Sequence, residues 1–181
     1  VYTRINKGDL SLIEKTFKIG KILSFSGIKK GIENTNYLIK TKNRKIILTI
    51  FEKRVQKKDL PFFMNLMFGL SRQKIKCPEP IKNKKGKYLF KIKNKTESLV
   101  SFLEGKDKIN LTNKDCYSVG KNAALLHMAA KKLRLYRKNS LSVNSWGQIL
   151  NKIDKRINKL SGNLINIMEN DLFDIKKKWP K

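Results

Sequence analysis

Residues that carry metal or redox chemistry are scarce in this chain. Its 181 residues include two cysteines and one histidine. Cys77 and Cys116 lie far apart and form no Cys-x-x-Cys pattern, so with His127 alone they cannot build a standard zinc site. With no secretory h-region at the start, free thiols in a reducing cytoplasm are the expectation. No run of about 18 apolar residues occurs, so no transmembrane helix is expected. The first residues, Val1-Tyr2-Thr3-Arg4, include no initiator Met, which reads as a processed or cropped N-terminus.

Acidic residues are also few: 14 Asp+Glu face 42 Lys+Arg, a net charge of +28. Such an excess fits a polyanion partner. It also fits compositional drift, because Lys, Asn and Ile share AT-rich codons. Lys far outnumbers Arg, the better residue for reading phosphates and bases, and the lysines run along the whole chain. Drift is the favoured reading, with no nucleic-acid and no membrane partner expected. A basic nucleic-acid-binding protein stays as an alternative, and a steep loss of affinity with salt in filter binding would support it.

A 40% hydrophobic composition suits a folded core rather than disorder. Asp9–Phe17 reads as a short helix with Asp9 as N-cap. Lys21–Ile28 and Asn34–Thr41 read as strands around a glycine turn, and Lys45–Phe51, β-branched and nearly all apolar, as a buried strand. Lys58–Gln73 reads as a helix opened by Asp59 and Pro61. Cys77–Ile81 is an extended connector, since each proline disfavours helix in the residue before it. Lys84–Lys87 reads as a hairpin turn joining Pro80–Asn83 to Tyr88–Ile92, and Ser98–Leu103 as a further strand.

Beyond residue 103 the pattern becomes helical. Thr112-Asn113-Lys114-Asp115 is a capping box, followed by a stripe of Cys116, Val119, Ala123, Leu126 and Ala130. His127 sits beside Leu126 on that stripe and reads as a packed structural residue. Trp146 to Leu160 marks another helix, and Leu164–Trp179 a last one.

The segment Gly31-Ile32-Glu33-Asn34-Thr35-Asn36-Tyr37 stands between the first two strands. A tight glycine turn there can hold bare backbone N–H groups against a phosphate; equally, it can be an ordinary β-turn. Together with Leu48-Thr49-Ile50-Phe51-Glu52, Leu60-Pro61-Phe62-Phe63, Cys77-Pro78-Glu79-Pro80-Ile81, Val100 to Lys106, and Val119-Gly120 through Leu126-His127, it resembles the ATP-dependent homoserine kinases. These belong to the aminoglycoside phosphotransferase–choline kinase superfamily. The resemblance runs from the first residues to Trp179-Pro180.

That resemblance implies an α+β, protein-kinase-like fold. Residues 1–102 would be an N-lobe with an antiparallel sheet and one packed helix. Residues 103–181 would be the first helices of an incomplete helical C-lobe. It implies ATP and Mg2+ as cofactors, L-homoserine as substrate, and a cytoplasmic enzyme of threonine biosynthesis. Gly27 and Gly31 would let the hairpin close over the phosphates, with Asn34, Thr35 and Asn36 as donors. Thr49 takes the slot where protein kinases carry a strand-three lysine. It cannot supply a charge, so another group must neutralise the phosphates; a strand residue chosen for β-propensity is the bland reading. Ser101, Phe102 and Leu103 would belong to the hinge that meets adenine, or else to a buried edge strand. Glu52 reads as a solvated strand-end charge, with a site residue as the alternative.

The superfamily's catalytic His-x-Asp-x-x-x-x-Asn loop and later Asp are not among these residues. Asp171-Leu172-Phe173-Asp174 has no His before it and no Asn at the right distance. No catalytic residue is therefore assigned, and the 181 residues alone are expected to be inactive, with an uncovered apolar face. Another small-molecule kinase, of choline or aminoglycoside type, and a pseudokinase-like binding module are the remaining alternatives.

Overall fold

The computed structural model describes residues 3–29, 33–52, 55–153, 157 and 159–179. Gly31 lies outside them. Among the described residues the architecture is α+β: five antiparallel strands in the order β1-β2-β3-β5-β4, with five α-helices.

Strands β1 (Ile22–Ile28), β2 (Thr35–Thr41) and β3 (Lys45–Ile50) form a meander at the positions expected from their β-branched, alternating sequences. Alternation separates two faces. Ile46, Leu48 and Ile50 of β3 are fully buried on one face, with Tyr37 and Ile39 of β2 opposite them. Helix α1 (Lys7–Thr16) supplies Leu10 and Ile13 to this cluster, and Phe17 and Ile19 follow. Asn6, not Asp9, is the N-cap of α1. The Asp9 N–H donates to Asn6 Oδ1 at 3.0 Å, and the Asn6 N–H donates to Asp9 Oδ2 at 2.8 Å. Asp9 is thus the third helical residue of a reciprocal capping box.

A 3-10 turn (Lys57–Asp59) leads into α2 (Leu60–Arg72), with Pro61 in its first turn. The second hairpin differs from expectation. Strand β4 (Leu89–Ile92) pairs with β5 (Lys95–Ser101) through Lys93 and Asn94, whose φ values are 49° and 62°. Two left-handed residues make a type I′ turn, whose twist matches the flanking strands. Lys84–Gly86 does turn the chain, with Gly86 at φ 76° and the Asn83 N–H on the Lys87 carbonyl at 2.8 Å. Pro80, however, bridges Val100 rather than β4. Strand β5 also starts and ends earlier than expected, leaving Phe102 and Leu103 beyond the sheet.

Helix α3 (Asn113–Lys132) begins with the expected capping box at Thr112. Only its C-terminal end is packed: Gln73 Nε2 donates to the Ala129 carbonyl at 3.0 Å, and a Cβ on Gly69 would come 2.6 Å from Leu133. Its apolar stripe is open, with Val119 65% exposed, and His127 is exposed rather than packed. The chain divides into two compact units, Val1–Tyr136 and Arg137–Lys181. The compositional change near residue 103 marks the end of the sheet, while packing on α2 carries the first unit on through α3.

The second unit holds α4 (Val143–Leu150) and α5 (Leu164–Lys178). The Trp146 and Trp179 rings meet edge to face at 6.0 Å. The helix expected from Trp146 to Leu160 stops at Leu150. Asn151, a weak helix former, caps it, and the Lys152 and Ile153 amides tighten onto the carbonyls three residues back. Among the described residues no helix is long and apolar enough to cross a membrane.

Candidate functional site

Residues on the sheet face away from α1 have the opposite parity: Ile47 and Thr49 of β3, Ser98 and Val100 of β5. They line a cavity of about 600 Å³ that α2 closes with Phe63, Met64 and Met67. Six of the nine residues expected at a site line it: Asn34, Asn36, Thr49, Ser101, Phe102 and Leu103.

The polar groups are oriented by the chain. Thr49 Oγ1 donates to Asn36 Oδ1 at 2.9 Å, and the Glu52 N–H donates to Asn34 Oδ1 at 3.4 Å. Both carbonyl oxygens are engaged from β3 and its extension, which leaves the amide NH2 groups as donors. The wall is mostly apolar, and its described lining carries no charged side chain. Thr49 therefore leaves the expected lysine slot without a cation.

The rim is formed where β5 leaves the sheet. The Ser101 N–H donates to the Glu79 carbonyl at 2.9 Å and the Phe102 N–H to that of Lys45 at 3.3 Å. The next amide, Leu103, has no backbone partner among the described residues. Phe102 lies beneath Lys45 Nζ, 5.3 Å from its ring centroid, and Lys45 pairs with Glu104 at 2.7 Å.

Two expected residues, Thr35 and Gly27, are not brought into the cavity. Thr35 falls between Asn34 and Asn36, so the strand alternation turns it to the α1 face, where it is fully buried. Its hydroxyl donates to Glu52 Oε1 at 2.8 Å and accepts the Thr3 N–H at 3.1 Å. Gly27 is exposed on edge strand β1 opposite Tyr37; its neighbour Ile28 reaches the lining instead. Gly31 lies outside the described residues.

Glu52 is no solvated strand end. It accepts from Thr3 and Thr35 and is ion-paired with Lys95. Burial pushes its carboxyl up, but hydrogen bonds from Lys95, Thr3 and Thr35 and the Lys95 charge outweigh it and hold the group below the usual range. Ser98 went unrecognised in the sequence. It is 1% exposed, its Oγ has no hydrogen-bond partner, and it lines the cavity. A serine within the apolar run Ser98–Leu103 carries no local signal; its cross-strand position beside Thr49 reveals it.

The Phosphotransferase enzyme family profile matches residues 24–171, most of the chain. The chain belongs to the phosphotransferase family. Along its whole length it is 35% identical to a homoserine kinase from Parvibaculum lavamentivorans and 38% identical to one from Allorhizobium ampelinum. It covers 56% of each of those proteins, so this phosphotransferase chain spans about half the length of the curated relatives it matches. Its fold resembles spectinomycin phosphotransferase solved with ADP and spectinomycin, at a TM-score of 0.59 and 15% identity over 97% of this chain and 56% of that one. The AMP-bound form gives 0.60 and 17% over 98% and 61%. The fold is thus the kinase-like fold expected.

Proposed function

We propose that this phosphotransferase chain is the nucleotide-binding part of an ATP-dependent homoserine kinase, which transfers the terminal phosphoryl group of ATP to the side-chain hydroxyl of L-homoserine. The observation that carries the reading is the cavity, with Asn34, Asn36 and Thr49 on its floor and Leu103 on its rim. It occurs in a chain 35% identical to homoserine kinases from end to end. Residues 1–102 serve as the nucleotide lobe and 103–181 as the start of a helical lobe. Threonine biosynthesis and a cytoplasmic setting follow from that assignment, with no nucleic-acid or membrane partner.

The residues fit a nucleotide. An apolar slot between sheet and α2 takes a base, the Leu103 amide offers it a donor, and the asparagine amides face acceptors further in. Four residue steps separate Ser98 from Phe102, about 13 Å of extended chain. The base and the phosphates would thus occupy opposite ends. When bound, ATP supplies the phosphoryl group; this chain's part is to hold and orient it, the larger share of such catalysis. The residues do not fit a magnesium site of their own. The lining has no carboxylate, and no cluster of three metal-ligating side chains occurs among the described residues. Mg2+ is proposed as the ion that accompanies ATP, held by groups outside these 181 residues.

The test is to express the reading frame with whatever follows the Lys181 codon and assay transfer from ATP to L-homoserine, choline and spectinomycin. Transfer to homoserine alone, with rescue of a homoserine-kinase-deficient threonine auxotroph, supports the reading. Transfer to another acceptor with homoserine untouched overturns the substrate assignment.

A further inference from the structure

Asn36, Thr49 and Ser98 form one continuous rung across three strands. Asn36 of β2 is paired with Thr49 of β3, and Thr49 with Ser98 of β5. All three line the cavity. The neighbouring rung two residues along, Leu38, Ile47 and Val100, is wholly apolar. A polar rung in such a floor costs stability unless its groups are satisfied. Among the described residues the rung is linked by the Thr49 hydroxyl, which donates to Asn36 Oδ1 at 2.9 Å. Ser98 is 1% exposed, and its Oγ has no hydrogen-bond partner among the described residues.

We propose that the Asn36–Thr49–Ser98 rung is a neutral recognition row for the phosphate groups of the nucleotide, standing where a lysine is absent. In this row Thr49 is a positioning residue. By donating to Asn36 Oδ1 it turns the amide NH2 toward the cavity, where that group donates to phosphate oxygens. The Ser98 hydroxyl, unpartnered among the described residues, donates to the same acceptors. Neutral donors can do this because hydrogen bonds to a charged acceptor are about twice as strong as neutral ones. The inference rests on the nucleotide reading of the cavity and deepens it.

The experiment titrates ATP, ADP and adenosine into the protein expressed from the reading frame with whatever follows the Lys181 codon, and into its Ser98→Ala, Thr49→Val and Thr49→Ser variants, with urea unfolding of each protein free of ligand. Ser98→Ala and Thr49→Val are expected to weaken ATP binding about five- to tenfold, a loss in the range of one hydrogen bond to a charged group. Adenosine affinity should change less than about twofold, a difference too small to report one lost hydrogen bond. Thr49→Ser should keep the ATP affinity, because it keeps the hydroxyl. Ser98→Ala should unfold at the same or a higher urea concentration than wild type, since it deletes a buried unsatisfied hydroxyl. A purely structural serine predicts lower stability instead. The proposal is overturned if Ser98→Ala and Thr49→Val bind ATP as wild type does, or if ATP and adenosine affinities fall together. If wild type binds none of the three ligands, the nucleotide reading itself fails and the rung proposal with it.

Discussion

The two faces of the same five-stranded sheet do opposite things. Toward α1, Ile46, Leu48, Ile50 and Leu99 are fully buried and make a dry core. One residue away in each strand, Ile47, Thr49, Ser98 and Val100 look into an open cavity with a polar rung across its floor. On the α1 face most of the polar groups are satisfied internally, with Thr35, Thr3 and Lys95 converging on Glu52, and Glu97 is the exception. The cavity face leaves donors without partners. A strand's period of two lets one sequence serve both stability and binding, with the duties assigned to alternate residues.

The largest expected effect comes from the one flaw in the dry face. Glu97 is fully exposed to neither water nor a partner: it is 0% exposed, and neither carboxyl oxygen has a hydrogen bond. Burial, aided by the charges of Asp9 and Glu52 and opposed by Lys93, pushes its pKa up to about 8 from 4.5. Below 4.5 the group is protonated in both folded and unfolded chains, and stability is intact. Between 4.5 and 8 only the folded chain keeps the proton, so stability falls as pH rises, by up to about 1.4 kcal/mol per pH unit. Urea midpoints measured from pH 5 to 8 should show this slope, and Glu97→Gln should flatten it. An unchanged slope in the variant would remove the assignment.

Next in size, Leu48→Ala should cost about 3 kcal/mol by urea denaturation, because it hollows a fully buried position. Ile47→Ala, its neighbour on the cavity side, should cost less than half of that. Equal losses would erase the distinction between the faces.

Glu52→Gln should cost about 1–2 kcal/mol, since it weakens a hydrogen-bonded hub. Its depressed pKa makes the Glu52 contribution present above 4.5 and lost as pH falls through the folded value, so the variant should lose less stability on acidification. Taken alone, Glu52 and Glu97 place the most stable pH on the acid side of neutrality. The smallest effect expected is at Asn6, where Asn6→Ala should cost about 1 kcal/mol by removing the cap of α1, with Asp9→Ala affecting the same box.

Much of this was legible without coordinates. Strands β2 and β3 announce themselves through Ile, Leu, Thr and Tyr at alternating positions, and the Thr112–Asp115 box marks the start of α3. Other elements were not. Asp9 looked like a cap because Asp fits either role in a capping box; only the backbone geometry gives Asn6 the first place. Lys93-Asn94 escaped because type I′ turns favour Asn-Gly or Asp-Gly, and a lysine at φ 49° is tolerated only where the strand twist demands it. The helix expected through Leu160 has apolar spacing but ends at Asn151. His127 shares a stripe that nothing among the described residues covers.

The amino-acid order by itself determined the family, the sheet's strands and the candidate donors Asn34, Asn36 and Thr49, because propensity and motif act over a few residues. Tertiary structure alone decided which of them share a cavity. Parity sends Thr35 to the Glu52 hub and Asn36 to the floor, and cross-strand register sets Ser98, 49 residues downstream of Thr49, beside it. Register is a property of paired strands, so no single stretch of sequence carries it.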